Sequence, residues 1–326
     1  MPSVVGFDIG GANLKVAHVD GVARSVPFAL WRTPGDLAMH LRALRDAMPL
    51  HDTVAVTMTG ELCDCFETKR EGVRAILKSV AEVVDVASIR VWTTRGLFVS
   101  FEEAMADPLA AAAANWLSLA HLVSRRFPGR SLLIDTGSTT TDILYLGPDG
   151  PEPRGLTDFD RMASGELVYT GIRRTPVCAV LGQDVAAELF ATMLDAHLLL
   201  GLVPQNASDT DTADGRPATK VHAHSRLARM RCADAESFSF DDAMTLARAA
   251  AEQQRAVIWR AAERVLAGRP PVERVVVAGS GEALAHWCHD THIALGQLPA
   301  VSLREHLGDA ISEAACAYAV AILASA

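Results

Sequence analysis

Apolar positions along this chain fall into short strand-length runs and helical repeats that alternate from its first residues. SVVGFDI (3–9) is a continuous apolar run, GGAN a turn, and LKVAHVDG a second strand ending in Asp20-Gly21, a hairpin signal. SVPFALWR reads as a third strand, DLAMHLRALRDAM carries apolar residues at helical spacing, and TVAVTMTGE is a β-rich run that ends in a loop. RAILKSVAEVV predicts a helix and IRVWTT a short strand. The alanine-rich segment from Pro108 to Phe127 predicts one long helix.

At SLLIDTGSTTTDILYLGPDGP the architecture restarts: strand, Gly/Thr turn and strand, closed by Gly147-Pro-Asp-Gly150. The two openings stand about 125 residues apart, and an internal duplication is the simplest reading. A further apolar run, RVVVAGSG (274–281), leads into the helical stretch EALAHWCHDT. The tract NASDTDTADGRPATKVHAH is polar and turn-rich, as expected of an insertion or lid. The expected organisation is α/β: a lobe over residues 1–127 holding the first glycine turn, and a lobe over 128–326 holding the second. The second lobe also carries the polar insertion near 205–225 and a C-terminal helix.

Length and composition fit this outline. A chain of 326 residues, half of them hydrophobic and 21% charged, buries a sizeable core and suits two lobes. A net charge of −9 with dispersed arginines argues against nucleic acid as a partner. The start of the chain lacks a basic segment before an apolar one, so a cytoplasmic protein without membrane partners is expected. Six cysteines at 63, 65, 178, 232, 288 and 316 show no framework spacing and read as free thiols, Cys63-Asp64-Cys65 included. Nothing sets an oligomeric state, and a homo-oligomer stays open.

The candidate chemistry lies in the glycine turns. Backbone N–H groups converge on an anion only where side chains leave room, which Gly10, Gly11 and Gly137 permit; Ser138, Thr139, Thr140 and Thr141 add hydroxyls. Both turns join strand to strand, unlike the dinucleotide fingerprint or the Walker A loop. Each follows an acidic residue at the end of an apolar strand, Asp8 or Asp135, where a carboxylate is costly unless paired or near a metal. A Mg²⁺ ion shared with a bound phosphate would account for both. A glycine turn in a hairpin also has a purely structural reading.

DIGGANLK, LIDTGSTTTDI and VVVAGSGEAL stand in the order of the phosphate-1, phosphate-2 and adenosine motifs of the sugar kinase, Hsp70 and actin superfamily, and DAISEAACAYAVA resembles its final connecting helix. That resemblance covers most of the chain. It implies two RNase H-like lobes around a central cleft with the phosphate hairpins facing each other, and it extends the phosphate-site candidates to Gly279, Ser280 and Gly281. TGELCDCFETKREGV, LVYTGIRRTPVCAV and TADGRPA resemble the hydantoinase/oxoprolinase-related proteins of tetrahydromethanopterin-linked one-carbon metabolism, and within that group the methanofuran-biosynthesis enzymes. The resemblance implies an aryl ether formed between a furanylmethyl diphosphate and a tyramine- or tyrosine-type phenol, with loss of pyrophosphate. The loops would then hold a substrate's diphosphate rather than ATP.

On that reading Asp8 and Asp135 are the metal candidates, and Gly10, Gly11, Asn13, Gly137, Ser138, Thr139 and Thr140 the cradle. Lys15 is either a point charge in it or a solvent-facing strand residue. The phenol needs a proton acceptor, for which Asp142, Glu61 and Asp64 all stand. Arg173-Arg174 offer forked donors for a glutamyl carboxylate on the acceptor, or form a solvated surface pair. His286, His289 and His292 recur at three-residue steps but read as a helix edge rather than a metal site. The alternatives are a small-molecule kinase using ATP with Asp142 or Asp64 as base, an ATP-dependent hydantoinase-like amidohydrolase, and a nucleotide-sensing scaffold.

Overall fold

The computed structural model describes residues 3–326. β1 (Val4–Ile9), β2 (Asn13–His18), β3 (Ala23–Pro27), β4 (Thr53–Met58), β5 (Ile89–Trp92) and β6 (Phe98–Val99) form one sheet in the order β3-β2-β1-β4-β5-β6. The hairpin partners β1, β2 and β3 run antiparallel, whereas β4 lies parallel to β1 and β5 parallel to β4. Parallel neighbours need crossovers, and the helices Leu37–Asp46 and Lys69–Ala81 supply them. Their apolar stripes, Leu37, Leu41 and Leu44 on one and Val73, Ile76, Leu77 and Val80 on the other, share a core with Phe7, Ile9, Leu14, Val16, Val56 and Met58. Strand alternation puts Gly6 and Asp8 on the opposite face.

β7 (Ser131–Thr136), β8 (Thr141–Gly147), β9 (Gly150–Pro151), β10 (Leu167–Val168), β11 (Arg274–Ala278) and β12 (Ala300–Ser302) make the second sheet, ordered β10-β8-β7-β11-β12, with β9 paired to the end of β8. With β9 set aside, both sheets follow one chain order, third-second-first-fourth-fifth. This repeat is the RNase H-like duplication that the two sequence openings predict. The 27-residue helix Phe240–Leu266, absent from the expected elements, starts at a Ser239/Asp242 capping box and buries an alanine-rich face. Small side chains there give weak hydrophobic contrast, so the periodicity is faint.

The chain divides into two compact units. One comprises the residues up to Ser131 with Leu146–Asp160 and Ser302–Ala326, and the other comprises Leu132–Tyr145 with Arg161–Val301. This differs from a single cut at 127/128, because the C-terminal helix Ala315–Ala324 returns to the first unit and packs on β1. A second difference concerns the alanine-rich stretch. Instead of one helix, Pro108–Ala111 forms a 3₁₀ turn, Ala112 to Ala114 break away, and a new helix runs Asn115–Arg126. The Ala110 carbonyl accepts from the backbone N–H (2.8 Å) and hydroxyl (3.3 Å) of Thr94, contacts that stand in place of a helical bond. Ala113 takes φ 47°, a left-handed conformation that costs an L-residue about 1–2 kcal/mol. KVHAH at the end of the polar tract belongs to the helix Lys220–Arg229.

The close approach of the C-terminal helix to β1 depends on Gly6. A Cβ there would lie 2.0 Å from the Ala317 carbonyl oxygen and 2.9 Å from a Val320 methyl. Gly6→Ala is expected to destabilise the first unit by about 1–3 kcal/mol, read as a lower midpoint in denaturant unfolding.

Candidate functional site

The two glycine loops are built alike. In the first, the Gly10 N–H donates to the Asn13 carbonyl at 3.1 Å; in the second, the Gly137 N–H donates to Thr140 at 2.8 Å. A flanking segment then takes up loop carbonyls. Leu30 and Phe28 donate to Gly11 and Ala12, while Ile172 donates to Gly137 and both Arg173 and Arg174 donate to Ser138. Among the described residues none accepts a hydrogen bond from the backbone N–H of Gly11 or Ala12, nor from that of Ser138, Thr139 or Thr140. Each loop therefore turns its acceptors inward and keeps its donors, which is the electrostatic requirement of an anion nest.

Close packing explains the neighbouring glycines. A Cβ on Gly11 would meet the Cys63 sulfur at 2.6 Å, and one on Gly171 would meet the Gly137 carbonyl oxygen at 2.5 Å. Gly279 and Gly281 let the end of β11 approach β7: their Cβ atoms would fall 2.2 Å from the Thr136 carbonyl oxygen and 2.5 Å from its methyl. Their backbone thus serves sheet packing, while Ser280 between them is exposed.

In the first unit Asp8 stands in a polar row across three strands, paired with Lys15 on β2 and Thr57 on β4. Burial raises the Asp8 carboxyl's pKa, opposed by the Lys15 charge and a hydrogen bond from the Asn115 side chain. Asp8 Oδ1 and Thr57 Oγ1 are buried without a partner, and a buried carboxylate oxygen in that state suits a hard cation. Glu61, in the loop after β4, is only 1% exposed; burial pushes its carboxyl up to about 7, against hydrogen bonds from its own N–H and that of Ala113 and the charge of Lys69. Its Oε2 is also without a partner. Asp64 is exposed.

In the second unit Asp135 is half-buried at the end of β7, beside buried Thr136 and Glu282, whose Oγ1 and Oε2 lack partners. Asp142 is ion-paired with the buried guanidinium of Arg161, which also donates to the Glu166 carbonyl. That pairing commits the Asp142 carboxylate to the fold of the second unit. Arg173 grips the Asp209 carboxylate through two bonds of 2.7 Å and donates to the Asp211 carbonyl; Arg174 lies 3.9 Å from the Asp211 carboxylate. Arg173 thus holds a carboxylate of the polar tract itself. Further along that tract Asp214 meets buried Arg226 (2.9 Å) and Arg229 (3.0 Å), and these bonds bring its carboxyl down to about 2. The tract is pinned rather than loose.

Among the described residues no three His, Cys, Asp or Glu side chains come together as a metal cluster. His286, His289 and His292 pair instead with Glu282, Asp290 and Glu263. A magnesium ion that bridges phosphates and keeps several waters needs only one or two carboxylates, so Asp8 and Asp135 fit that role. No helix among the described residues is long and apolar enough to cross a membrane. Thr57, Ala113, Asn115 and Glu282 were not singled out as site residues from sequence; the one available signal was Asn115 interrupting an alanine run.

The hydantoinase/oxoprolinase family profile matches residues 52–322. The chain is 31% identical over 331 residues to the (4-{4-[2-(gamma-L-glutamylamino)ethyl]phenoxymethyl}furan-2-yl)methanamine synthase of Methanocaldococcus jannaschii, covering 98% of this chain and 97% of that protein. It is 28% identical over 214 residues to the synthase of the same name from Methanococcus vannielii, covering 63% of this chain and 95% of that protein. Among solved structures, a non-polymerising MamK mutant bound to AMPPNP is similar at TM-score 0.50 and 13% identity, with 100% of this chain and 99% of that one covered.

The Asp142–Arg161 pair has a direct test. Asp142→Asn removes a charge that the buried Arg161 guanidinium meets and should cost about 3–5 kcal/mol in chemical denaturation, while the pH dependence of turnover keeps its midpoint.

Proposed function

Because the chain belongs to the hydantoinase/oxoprolinase family, and within it is similar from end to end to a furan-methanamine synthase, we propose that it forms the aryl ether of a methanofuran-type cofactor. It joins a furanylmethyl diphosphate to the phenol of a γ-glutamyltyramine-type acceptor and releases pyrophosphate. The observation that carries this reading is the 31% identity over 98% of the chain. The loop geometry supports it: donors without protein acceptors suit a diphosphate, and they suit it best as charge builds on the leaving group.

In the reaction the bond between the methylene carbon and the diphosphate oxygen breaks, the phenol oxygen bonds to that carbon, and the phenolic proton leaves. The furan oxygen donates electron density to the developing cation, so departure of pyrophosphate sets the barrier. In the first unit the backbone N–H groups of Gly11 and Ala12, with Lys15 as a point charge, are suited to stabilise departing oxygens, and in the second unit those of Ser138, Thr139 and Thr140 are the equivalent set. Magnesium, when bound, would neutralise leaving-group charge, with Asp8 the carboxylate that would hold it in the first unit and Asp135 the corresponding one in the second. Glu61 is the proton acceptor: a carboxyl titrating near neutrality is far better matched to a phenol than an ordinary one. Arg173 organises the polar tract through Asp209, and the acceptor's carboxylate falls to Arg174 or to an exchange with Asp209.

Two measurements follow. With furanylmethyl diphosphate, phenolic acceptor and Mg²⁺ but no nucleotide, ether and pyrophosphate should appear in equal amounts, and an electron-withdrawing ring substituent should slow turnover about tenfold, roughly 1.4 kcal/mol. A strict requirement for ATP with matching ADP release would instead establish a phosphotransferase. The second concerns Glu61, whose folded value of about 7 lies above its ordinary 4.5. Its stabilising contribution is therefore present in the protonated form below the unfolded value and is lost as pH rises through about 7. Glu61→Gln should abolish the rise in turnover across neutrality yet stabilise the fold at pH 8, by up to roughly 3 kcal/mol in thermal unfolding.

A further inference from the structure

A glutamine stands in the buried stripe of the long helix Phe240–Leu266. Its neighbours on that face are Ala250, Ala251, Ile258, Ala261 and Ala262, and Gln254 is as buried as they are. An amide in such a place is costly unless its donors and its acceptor are engaged, and here they are. Gln254 Nε2 donates to the Thr170 hydroxyl and to the Gly171 carbonyl, each at 2.8 Å, and Oε1 meets His197 Nε2 at 2.9 Å. The Gly171 carbonyl fixes which end of the amide is which, since it can only accept. Burial holds the His197 imidazole down to about 4, so it is neutral and its Nε2 carries the proton that Oε1 accepts. Packing alone would be served by an apolar side chain, as at Ile258 one turn on.

What Gln254 grips leads directly to the second glycine loop. Thr170 and Gly171 open the segment 170–175, whose next three residues take up the loop carbonyls: Ile172 donates to Gly137 at 3.0 Å, and Arg173 and Arg174 donate to Ser138 at 3.1 and 2.9 Å. Gly171 has no slack against the loop, since a Cβ on it would lie 2.7 Å from the Thr139 nitrogen. Its N–H is fixed as well, donating at 3.1 Å to the Thr175 hydroxyl, which meets the Thr170 hydroxyl at 3.0 Å. We propose that Gln254 is a positioning residue for the second anion loop. It holds the 170–175 segment in the register that occupies the loop carbonyls and leaves the N–H groups of Ser138, Thr139 and Thr140 to a phosphate. This role depends on that loop being a diphosphate site of the proposed reaction.

The test follows the backbone amides of Ser138, Thr139 and Thr140 by NMR in the whole protein, first alone and then titrated with inorganic pyrophosphate and Mg²⁺. Gln254→Met keeps the length of the side chain but neither donor. It should shift the three amides before any anion is added and weaken pyrophosphate at this loop about tenfold or more. Trp259→Phe is the control for lost stability, because it removes another hydrogen bond of the same helix, from Trp259 Nε1 to the Cys288 carbonyl at 2.8 Å, and should leave both readouts unchanged. Loop amides and pyrophosphate affinity that are the same in Gln254→Met as in the wild type overturn the proposal, as does an equal loss in Trp259→Phe. If Gln254→Met does not fold, Thr175→Val takes its place: it removes the acceptor of the Gly171 N–H, and unchanged loop amides in it overturn the proposal. Wild-type amides that ignore pyrophosphate while still moving in Gln254→Met would uphold the link from helix to loop and overturn the diphosphate reading instead.

Discussion

The site depends on how a tight turn divides its backbone polar groups. Four residues at a hairpin tip present both carbonyls and N–H groups, and an anion is repelled by the first as strongly as it is drawn by the second. Here the Gly11 and Ala12 carbonyls are taken up by Leu30 and Phe28 in one unit, and the Gly137 and Ser138 carbonyls by Ile172, Arg173 and Arg174 in the other. Several conspicuous residues follow from that arrangement. Gly171 is small so that its segment reaches the Gly137 carbonyl, and Gly11 is small because Cys63 closes over the turn. The same device appears in both halves of the duplicated fold.

Burial of charge divides the carboxylates into those met by a guanidinium and those left with an unpartnered oxygen. Asp142, Asp209 and Asp214 each meet a guanidinium, and the pairing holds the latter two below the usual carboxylate range. Asp8 and Glu61 are buried with an unpartnered oxygen and are pushed upward instead. Leaving such oxygens unsatisfied costs about 1–3 kcal/mol each, a cost typical of groups kept for chemistry or for an ion. The arginines that look most like substrate ligands in the sequence are largely engaged in folding the 206–218 tract, which explains why a segment so rich in Asp and Thr is ordered.

Much was legible in the sequence because it depends on local pattern. Apolar runs of strand length, Asp20-Gly21 and the second Gly/Thr turn gave the duplicated hairpins, and Asp8 and Asp135 fell at strand ends by simple alternation. The helix Glu282–Thr291 lies where its pattern put it. Residues with no local signature were not legible. The choice among Asp142, Glu61 and Asp64 depends on which carboxylate meets Arg161, 19 residues away from Asp142, which is buried and which is exposed, and these are properties of packing rather than of local pattern.

The alanine stretch shows the division most clearly. Alanine has the highest intrinsic helix propensity, so the sequence by itself determined that 108–127 would be helical in the main, just as it determined two strand-turn-strand openings and the acidic residue before each turn. Only the tertiary structure decided that the helix would break at Ala113. Thr94 captures the Ala110 carbonyl through both its N–H and its hydroxyl, a contact made between segments that propensity treats one at a time. Propensity differences of a few tenths of a kcal/mol per residue yield to hydrogen bonds of this kind, each worth about 0.5–1.5 kcal/mol.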